Sequence, residues 1–394
     1  MDSFDYVIVG GGTTPTLLPY ALLPFFVLAL WRAVRGEAWR WTAVAALVLA
    51  ATSGLNAGVA TLIDLVIIVP IAVHLALTDR AALRRLPGAL VRTGAIFGSL
   101  SLYWLVPTFF ALTRARTGLS NTESLESINV GTSFAETLRG LGMWTLYGGG
   151  AEGSHLPGLI VLLTSPLVVV MSFGGPVLAA LGARSGGPAR VFGASAVLTG
   201  ALVMSAPFPF TDRSAWGNAV VAVLDGVPGA AAFRTLNKAG GVLEIGIAVL
   251  IGVAVASIAG WLRSVEQRAL ALVLAGAAVL GATAPAWTGS LFPVTMDLPA
   301  YWLDAADDVN ALAQHQAPGR VLLTPGIKIA AYDWGYNGPD ELGNSLFRRP
   351  NVFRTPIPSA APEGAALLGE VDRRLQEGVL PPGTLSAMST LASI

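Results

Sequence analysis

A succession of apolar runs, separated by short polar turns, decides what this chain can fold into. A spanning helix needs about 20 mostly apolar residues. Runs of that character cover 16–31, 39–53, 57–78, 93–112, 157–183, 190–206, 242–262 and 267–286, the first two being shorter than the rest. Only 12% of the 394 residues are charged, where a soluble domain carries about 25%. The chain lacks the charge to cover a soluble surface of its size. The expected fold is a polytopic α-helical membrane protein with about eight transmembrane helices.

Arginine placement orients those helices. The segments 32–40, 80–92, 184–190 and 263–268 hold 11 arginines in 35 residues. The segments 113–156 and 207–241 hold 6 Lys/Arg in 79 residues. Eight spans put every arginine-dense segment on one side, which the positive-inside rule makes the cytoplasm. The protein is then expected in the bacterial inner membrane, with the two long loops and everything after Trp287 outside. Trp39, Trp41, Tyr103, Trp104, Trp261 and Trp287 fall near the ends of the spans, as an aromatic belt does.

Past Trp287 the pattern changes. Residues 301–314 read as an amphipathic helix, 320–324 as a short buried strand ended by Pro325-Gly326, and 365–377 as another helix. Three parts result: an atypical N-terminal segment 1–15, a transmembrane region 16–287 with outer loops 113–156 and 207–241, and the start of an extracytoplasmic α/β domain at 288–394.

Several chemistries are excluded at the outset. With no cysteine, there are no disulfides, thiolate metal sites or Cys nucleophiles. Net charge is zero, which argues against a nucleic-acid partner. His74, His155 and His315 lie far apart and form no metal-ligand spacing.

The residues that can carry chemistry are few. Asp64 lies about seven residues into a span, in its outer half. Charge in a bilayer is costly and marks a functional site by default, although a carboxylate near the interface also serves as a cap or interhelical partner. Glu244 is less than one turn into its helix, so an interfacial, solvated position is expected. Glu123 and Glu126 are three apart in E-S-L-E and would share a helix face; paired carboxylates do acid–base work, and acidic residues also simply solvate loops. Residues 135–147 read as an amphipathic helix on the membrane. Arg234 and Lys238 are four apart, on one face of a helical turn, just before a span. A planar guanidinium fork and a compact ammonium are both phosphate ligands, and such a pair also anchors helices.

Two resemblances follow from particular motifs. The opening M-D-S-F-D-Y-V-I-V-G-G-G resembles the first strand and glycine turn of FAD-dependent glucose-methanol-choline oxidoreductases. The fingerprint requires G-x-G-x-x-G within a βαβ unit. Here Thr13, Thr14 and Pro15 follow, and the chain enters a membrane segment, so flavin binding is not expected.

The other resemblance covers the chain from about Thr16 onward. S-G-L-N-A-G after a helix, L-E-S-I-N followed by T-L-R-G, F-R-T-L-N-K before a helix, D-W-G-Y-N-G-P-D-E-L and L-L-G-E-V-D-R-R-L-Q-E-G run in order. Together they resemble the mycobacterial-type α-(1→3)-arabinofuranosyltransferases, polytopic glycosyltransferases of the GT-C superfamily. The resemblance implies inverting transfer of arabinofuranose from decaprenylphosphoryl-arabinose to a growing arabinan on the outer face of the inner membrane. It implies a lipid-linked donor and no organic cofactor, and leaves metal dependence open. Arg234 and Lys238 would hold the donor phosphate. Family members are longer, so the chain reads as a fragment truncated at both ends. In GT-C enzymes the catalytic carboxylate usually sits in the first outer loop; that region is expected to be absent, with Asp64 and Glu126 as the possible stand-ins. A non-catalytic membrane scaffold and a transporter of lipid-linked sugar are the competing expectations.

Overall fold

The computed structural model describes residues 13–36, 38–53, 58–110, 124–147, 159–227, 229–262, 264–282, 298–315, 319–324, 329–334, 337–339, 342–352, 362–384 and 386. The flavin-like opening motif, the turn at 54–57, Glu123, Glu152, His155 and Trp287 lie outside them.

The first apolar runs fold as α1 (Thr13–Arg35), α2 (Ala38–Thr52), α3 (Gly58–Asp64) and α4 (Ile68–Thr78). A 3₁₀ turn, Leu65–Ile67, joins α3 to α4. Pro19 and Pro24 lie inside α1, which a membrane helix tolerates because neighbouring elements satisfy the freed carbonyls. Among the described residues four helices, rather than the expected eight, are long and apolar enough to cross a membrane: Leu17–Arg35, Gly58–Thr78, Pro166–Arg184 and Leu236–Trp261. Trp39–Thr52 and Ala189–Met204 are apolar but shorter.

The next run departs from the expected 93–112 span. Helix α5 (Arg80–Leu100) begins thirteen residues early, inside the stretch read as an arginine-rich loop. Arg, Ala and Leu are strong helix formers, and Asp79 caps the first turn by accepting from the Ala82 N–H at 3.0 Å. At Ser101 the chain bends by 72° into α6 (Leu102–Phe110). The Ser101 N–H bonds both the Phe97 and Gly98 carbonyls, which tightens the last turn of α5.

The segment 124–147 holds α7 (Leu125–Ile128), α8 (Phe134–Leu138) and α9 (Trp144–Tyr147). Residues 135–147 are therefore not one amphipathic helix. Gly140 and Gly142 adopt left-handed φ of +75° and +117°, a region glycine enters without steric cost, and the helix stops there. The expected span 157–183 is likewise three helices, α10 (Val161–Thr164), α11 (Pro166–Ser172) and α12 (Gly174–Arg184).

Helices α13 (Ala189–Met204), α14 (Ala215–Gly226), α15 (Gly240–Trp261) and α16 (Val265–Ala282) complete the helical region. Beyond it come a helix at Ala300–His315, a parallel pair of strands Val321–Leu322 and Asn351–Val352, an antiparallel pair Ile329–Ala331 and Asn337–Pro339, and a helix at Pro362–Gln376.

Two clusters hold the helices together. Leu23, Phe26, Leu30, Ile71, Leu75 and Leu86 join α1, α4 and α5. Ile63, Met204, Leu243 and Leu250 join α3, α13 and α15. Lipid is as apolar as leucine, so close packing of small residues drives such contacts. A Cβ at Gly246 would lie 2.6 Å from the Val197 backbone nitrogen, and one at Gly182 would lie 1.9 Å from the Leu250 carbonyl oxygen. Leu77, Val91 and Val170 are more than two-thirds exposed, as side chains facing lipid are.

Candidate functional site

The two ends of the helical region differ in chemistry. At one end Arg35 pairs with Asp79 at 3.8 Å, Arg85 bonds the Val34 carbonyl, and Arg92 lies over Trp39. His74 is buried there against Trp31. Two of the arginine-dense segments of the sequence, 32–40 and 80–92, thus meet at one end.

The other end gathers the candidate site. The Tyr20 hydroxyl donates to the Asn237 carbonyl at 3.4 Å, so α1 and α15 begin at the same end. Gly241 stands against both Tyr20 and Asp64: a Cβ on it would lie 2.7 Å from Tyr20 Cδ1 and 3.1 Å from Asp64 Oδ1. Asp64 ends α3 and is 3% exposed, and neither of its carboxylate oxygens has a hydrogen-bond partner among the described residues. An unsatisfied buried polar group costs roughly 1–3 kcal/mol, more when charged. Such an aspartate at a break in a membrane helix is the strongest anomaly of this end. Glu244 is exposed on the surface of α15. Its Oε1 lies 2.7 Å from the position a Cβ on Gly140 would take.

Arg234 and Lys238 are close to this cluster in sequence but not on one helical turn. Arg234 closes a 3₁₀ turn at Ala230–Phe233, and Lys238 belongs to a second 3₁₀ turn, Leu236–Ala239, leading into α15. Thr235, at φ −80° and ψ 60°, breaks the helix between them. Both cations are half-buried.

Glu126 lies exposed on α7, one residue before the buried-facing turn of that segment. Two residues on from it is Ile128, then Asn129, both buried. Asn129 Nδ2 donates to the Leu125 carbonyl at 2.8 Å and to the Arg234 carbonyl at 3.1 Å. The L-E-S-I-N and F-R-T-L-N-K motifs, about a hundred residues apart, therefore meet. That contact joins the backbone of the two segments that carry Glu126 and Arg234.

A second fastening escaped sequence reasoning. Arg139, in T-L-R-G, has a side chain only 3% exposed. It donates to Glu136 Oε1 at 2.5 Å, to Ser172 Oγ at 2.6 Å and to the Leu162 carbonyl, and lies over the Phe173 ring. Tyr147 donates to the other oxygen of Glu136 at 2.6 Å. Burial, reinforced by that carboxylate, raises the Tyr147 hydroxyl above its usual pKa. Arginine in a loop reads as solvated; only its short tether to Glu136 at i−3 hinted at pairing. No group of three His, Asp or Glu side chains suited to a metal occurs among the described residues.

Comparison with known proteins now bears on this arrangement. A family model described as the N-terminal GT-C domain of alpha-(1->3)-arabinofuranosyltransferase matches residues 9–392. An alpha-(1->3)-arabinofuranosyltransferase of Mycobacterium tuberculosis (strain ATCC 25618 / H37Rv) is 29% identical over 278 residues, covering 64% of this chain and 19% of that protein. A cryo-EM structure of the arabinofuranosyltransferase AftD from Mycobacteria superposes with a TM-score of 0.57 at 20% identity, over 96% of this chain and 25% of the other. The chain thus spans about a fifth to a quarter of the length of these relatives. The superposition shows the shared fold. The family match runs across both outer segments and the helices that carry them, and on that ground the chain belongs to the GT-C membrane glycosyltransferases, in the family of the N-terminal domain of the α-(1→3)-arabinofuranosyltransferases.

Proposed function

We propose that this chain is the membrane-embedded donor-handling region of an enzyme that moves arabinofuranose from a polyprenyl phosphate to a growing arabinan. The reaction takes place at the outer face of the bacterial inner membrane, and residues 288–394 lie on that side with the outer segments 113–156 and 207–241. The observation that carries the reading is the Asn129–Arg234 bond, which fastens one outer segment to the other at the end of the molecule opposite the arginine-dense segments. Cations on the outer side run against the positive-inside bias, so their retention there favours a ligand.

Arg234 and Lys238 hold the donor phosphate. As the bond from the anomeric carbon to the phosphate oxygen breaks, the leaving lipid phosphate keeps the electron pair, and the two cations stabilise that charge. An acceptor hydroxyl attacks from the opposite face of the sugar, and its proton passes to a carboxylate. Of the two carboxylates nominated by the sequence, Glu126 is exposed and reachable by an acceptor. Asp64 is 3% exposed and suited to binding rather than to meeting a bulky glycan.

The test is the double variant Arg234→Ala with Lys238→Ala in the full-length protein. Donor affinity is expected to fall by roughly a hundredfold, from the loss of two charge-assisted contacts. Unchanged affinity would remove the phosphate role. Wild-type protein that binds donor yet transfers no arabinose would instead favour a scaffold or a transporter.

A further inference from the structure

We infer that Asp64, which stands with Tyr20 against the first turn of α15, and Glu244 on that same helix form the subsite for the sugar of a lipid-linked donor. The inference rests on the donor-handling reading above and extends it from the phosphate to the sugar.

Three observations converge. Asp64 is buried, and both of its oxygens lack partners among the described residues. Its Oδ1 faces Gly241, in the first turn of α15, beside the Tyr20 ring. Glu244, one turn further along the same helix, places a second carboxylate at the rim, against Gly140.

In their ionised form two carboxylates supply acceptors only. They repel a phosphate, so the phosphate belongs with Arg234 and Lys238, a few residues earlier in the chain. What they require is a ligand rich in O–H donors and free of negative charge, which is the chemistry of a pentose ring joined to that phosphate. A divalent cation fits less well. Calcium takes 6–8 oxygen ligands, and no third acidic or histidine side chain joins the pair among the described residues. Glycine at 241 is what lets α15 approach Tyr20 and Asp64 this closely, since a Cβ there would lie 2.7 Å from the Tyr20 ring and 3.1 Å from Asp64 Oδ1.

The experiment compares two probes on the full-length protein: polyprenyl phosphate, and the same lipid phosphate carrying arabinofuranose. Wild-type protein is expected to prefer the sugar-bearing lipid. Glu244→Gln, at an exposed position that tolerates substitution, is expected to weaken binding of the sugar-bearing lipid by roughly tenfold or more, the worth of one hydrogen bond to a charged acceptor. It should leave the bare lipid phosphate unaffected. Asp64→Asn is expected to act likewise; if it fails to fold, Glu244→Gln and Tyr20→Phe carry the comparison. Loss of both lipids from Arg234→Ala with Lys238→Ala, and of neither from the wild type, keeps the phosphate reading separate. A Glu244→Gln protein that retains the full preference for the sugar-bearing lipid overturns the subsite even where the phosphate reading stands. So does a wild-type preference that appears only with added calcium or magnesium, which reassigns the carboxylates to a cation.

Discussion

Asn129 reaches across 105 residues of sequence to the carbonyl of Arg234, and so locks one outer segment of the protein onto the other. Its side chain is fully buried, and the same Nδ2 group also ties down its own helix at Leu125.

Asn129→Ala removes both bonds and leaves two carbonyls without that donor. A loss of roughly 1–3 kcal/mol of stability is expected, read as a lowered Tm in detergent. Because Arg234 is positioned through this bond, donor affinity is expected to fall as well. A lowered Tm with wild-type affinity would separate the fastening from the binding.

Arg139→Ala strands Glu136 beside the buried face of α11. Removing one partner of a buried pair costs about 3–5 kcal/mol, so this variant is expected to be among the least stable single changes in the outer segment. Arg139→Lys is expected to rescue little, because one ammonium cannot replace the fork that serves Glu136, Ser172 and Leu162 at once. Thermal unfolding and limited proteolysis of residues 124–147 measure both variants.

Gly246→Ala tests the seam between α13 and α15. The added methyl would sit 2.6 Å from the Val197 nitrogen and 2.8 Å from the Gly193 oxygen. Both are backbone atoms and cannot rotate away, so the helices must separate. Overpacking of this kind costs roughly 1–3 kcal/mol. Gly252→Ala, on the same helix with open space at that point, is the control and is expected to leave Tm unchanged.

The helix at Pro362–Gln376 carries a pH-dependent element. Hydrogen bonds from Arg373 and Arg374 hold the Glu370 carboxyl down to about 2. A depressed folded pKa contributes stability above the ordinary carboxylate value, and that contribution is lost as pH falls from about 4.5 toward 2. The pair is fully exposed, so the effect is small and screened by salt. Glu370→Gln is expected to flatten the acid limb of helicity measured by circular dichroism over that range.

The membrane architecture was legible because its causes are local. Runs of Leu, Val, Ile and Ala in a chain this poor in charge mark membrane helices, though not where each helix breaks, and Arg35, Arg85 and Arg92 announced the end at which they gather. The bend at Ser101 was not legible. No proline or glycine marks that residue, and the apolar pattern continues through it. The division of 135–147 into two helices was visible only in the spacing of Gly140 and Gly142. Among the site residues, Arg234 and Lys238 were found from their charge just before a span. Their separation onto two 3₁₀ turns depends on the backbone at Thr235, which a four-residue spacing does not reveal.

Hydropathy and charge placement, read along the chain, determined that this is a helical membrane protein and that Arg234 and Lys238 stand just before a span. Those properties follow from the transfer energy of each residue taken with its neighbours in sequence. The tertiary structure alone decided that Asn129 meets Arg234, that Arg139 is buried rather than solvated, and that Asp64 stands with Tyr20 against Gly241. Each of these depends on helices distant in sequence coming into contact. Gly182, Gly193 and Gly246 bring the helices close enough because they have no side chain, and the burial that results turns an ordinary loop arginine or a helix aspartate into a site.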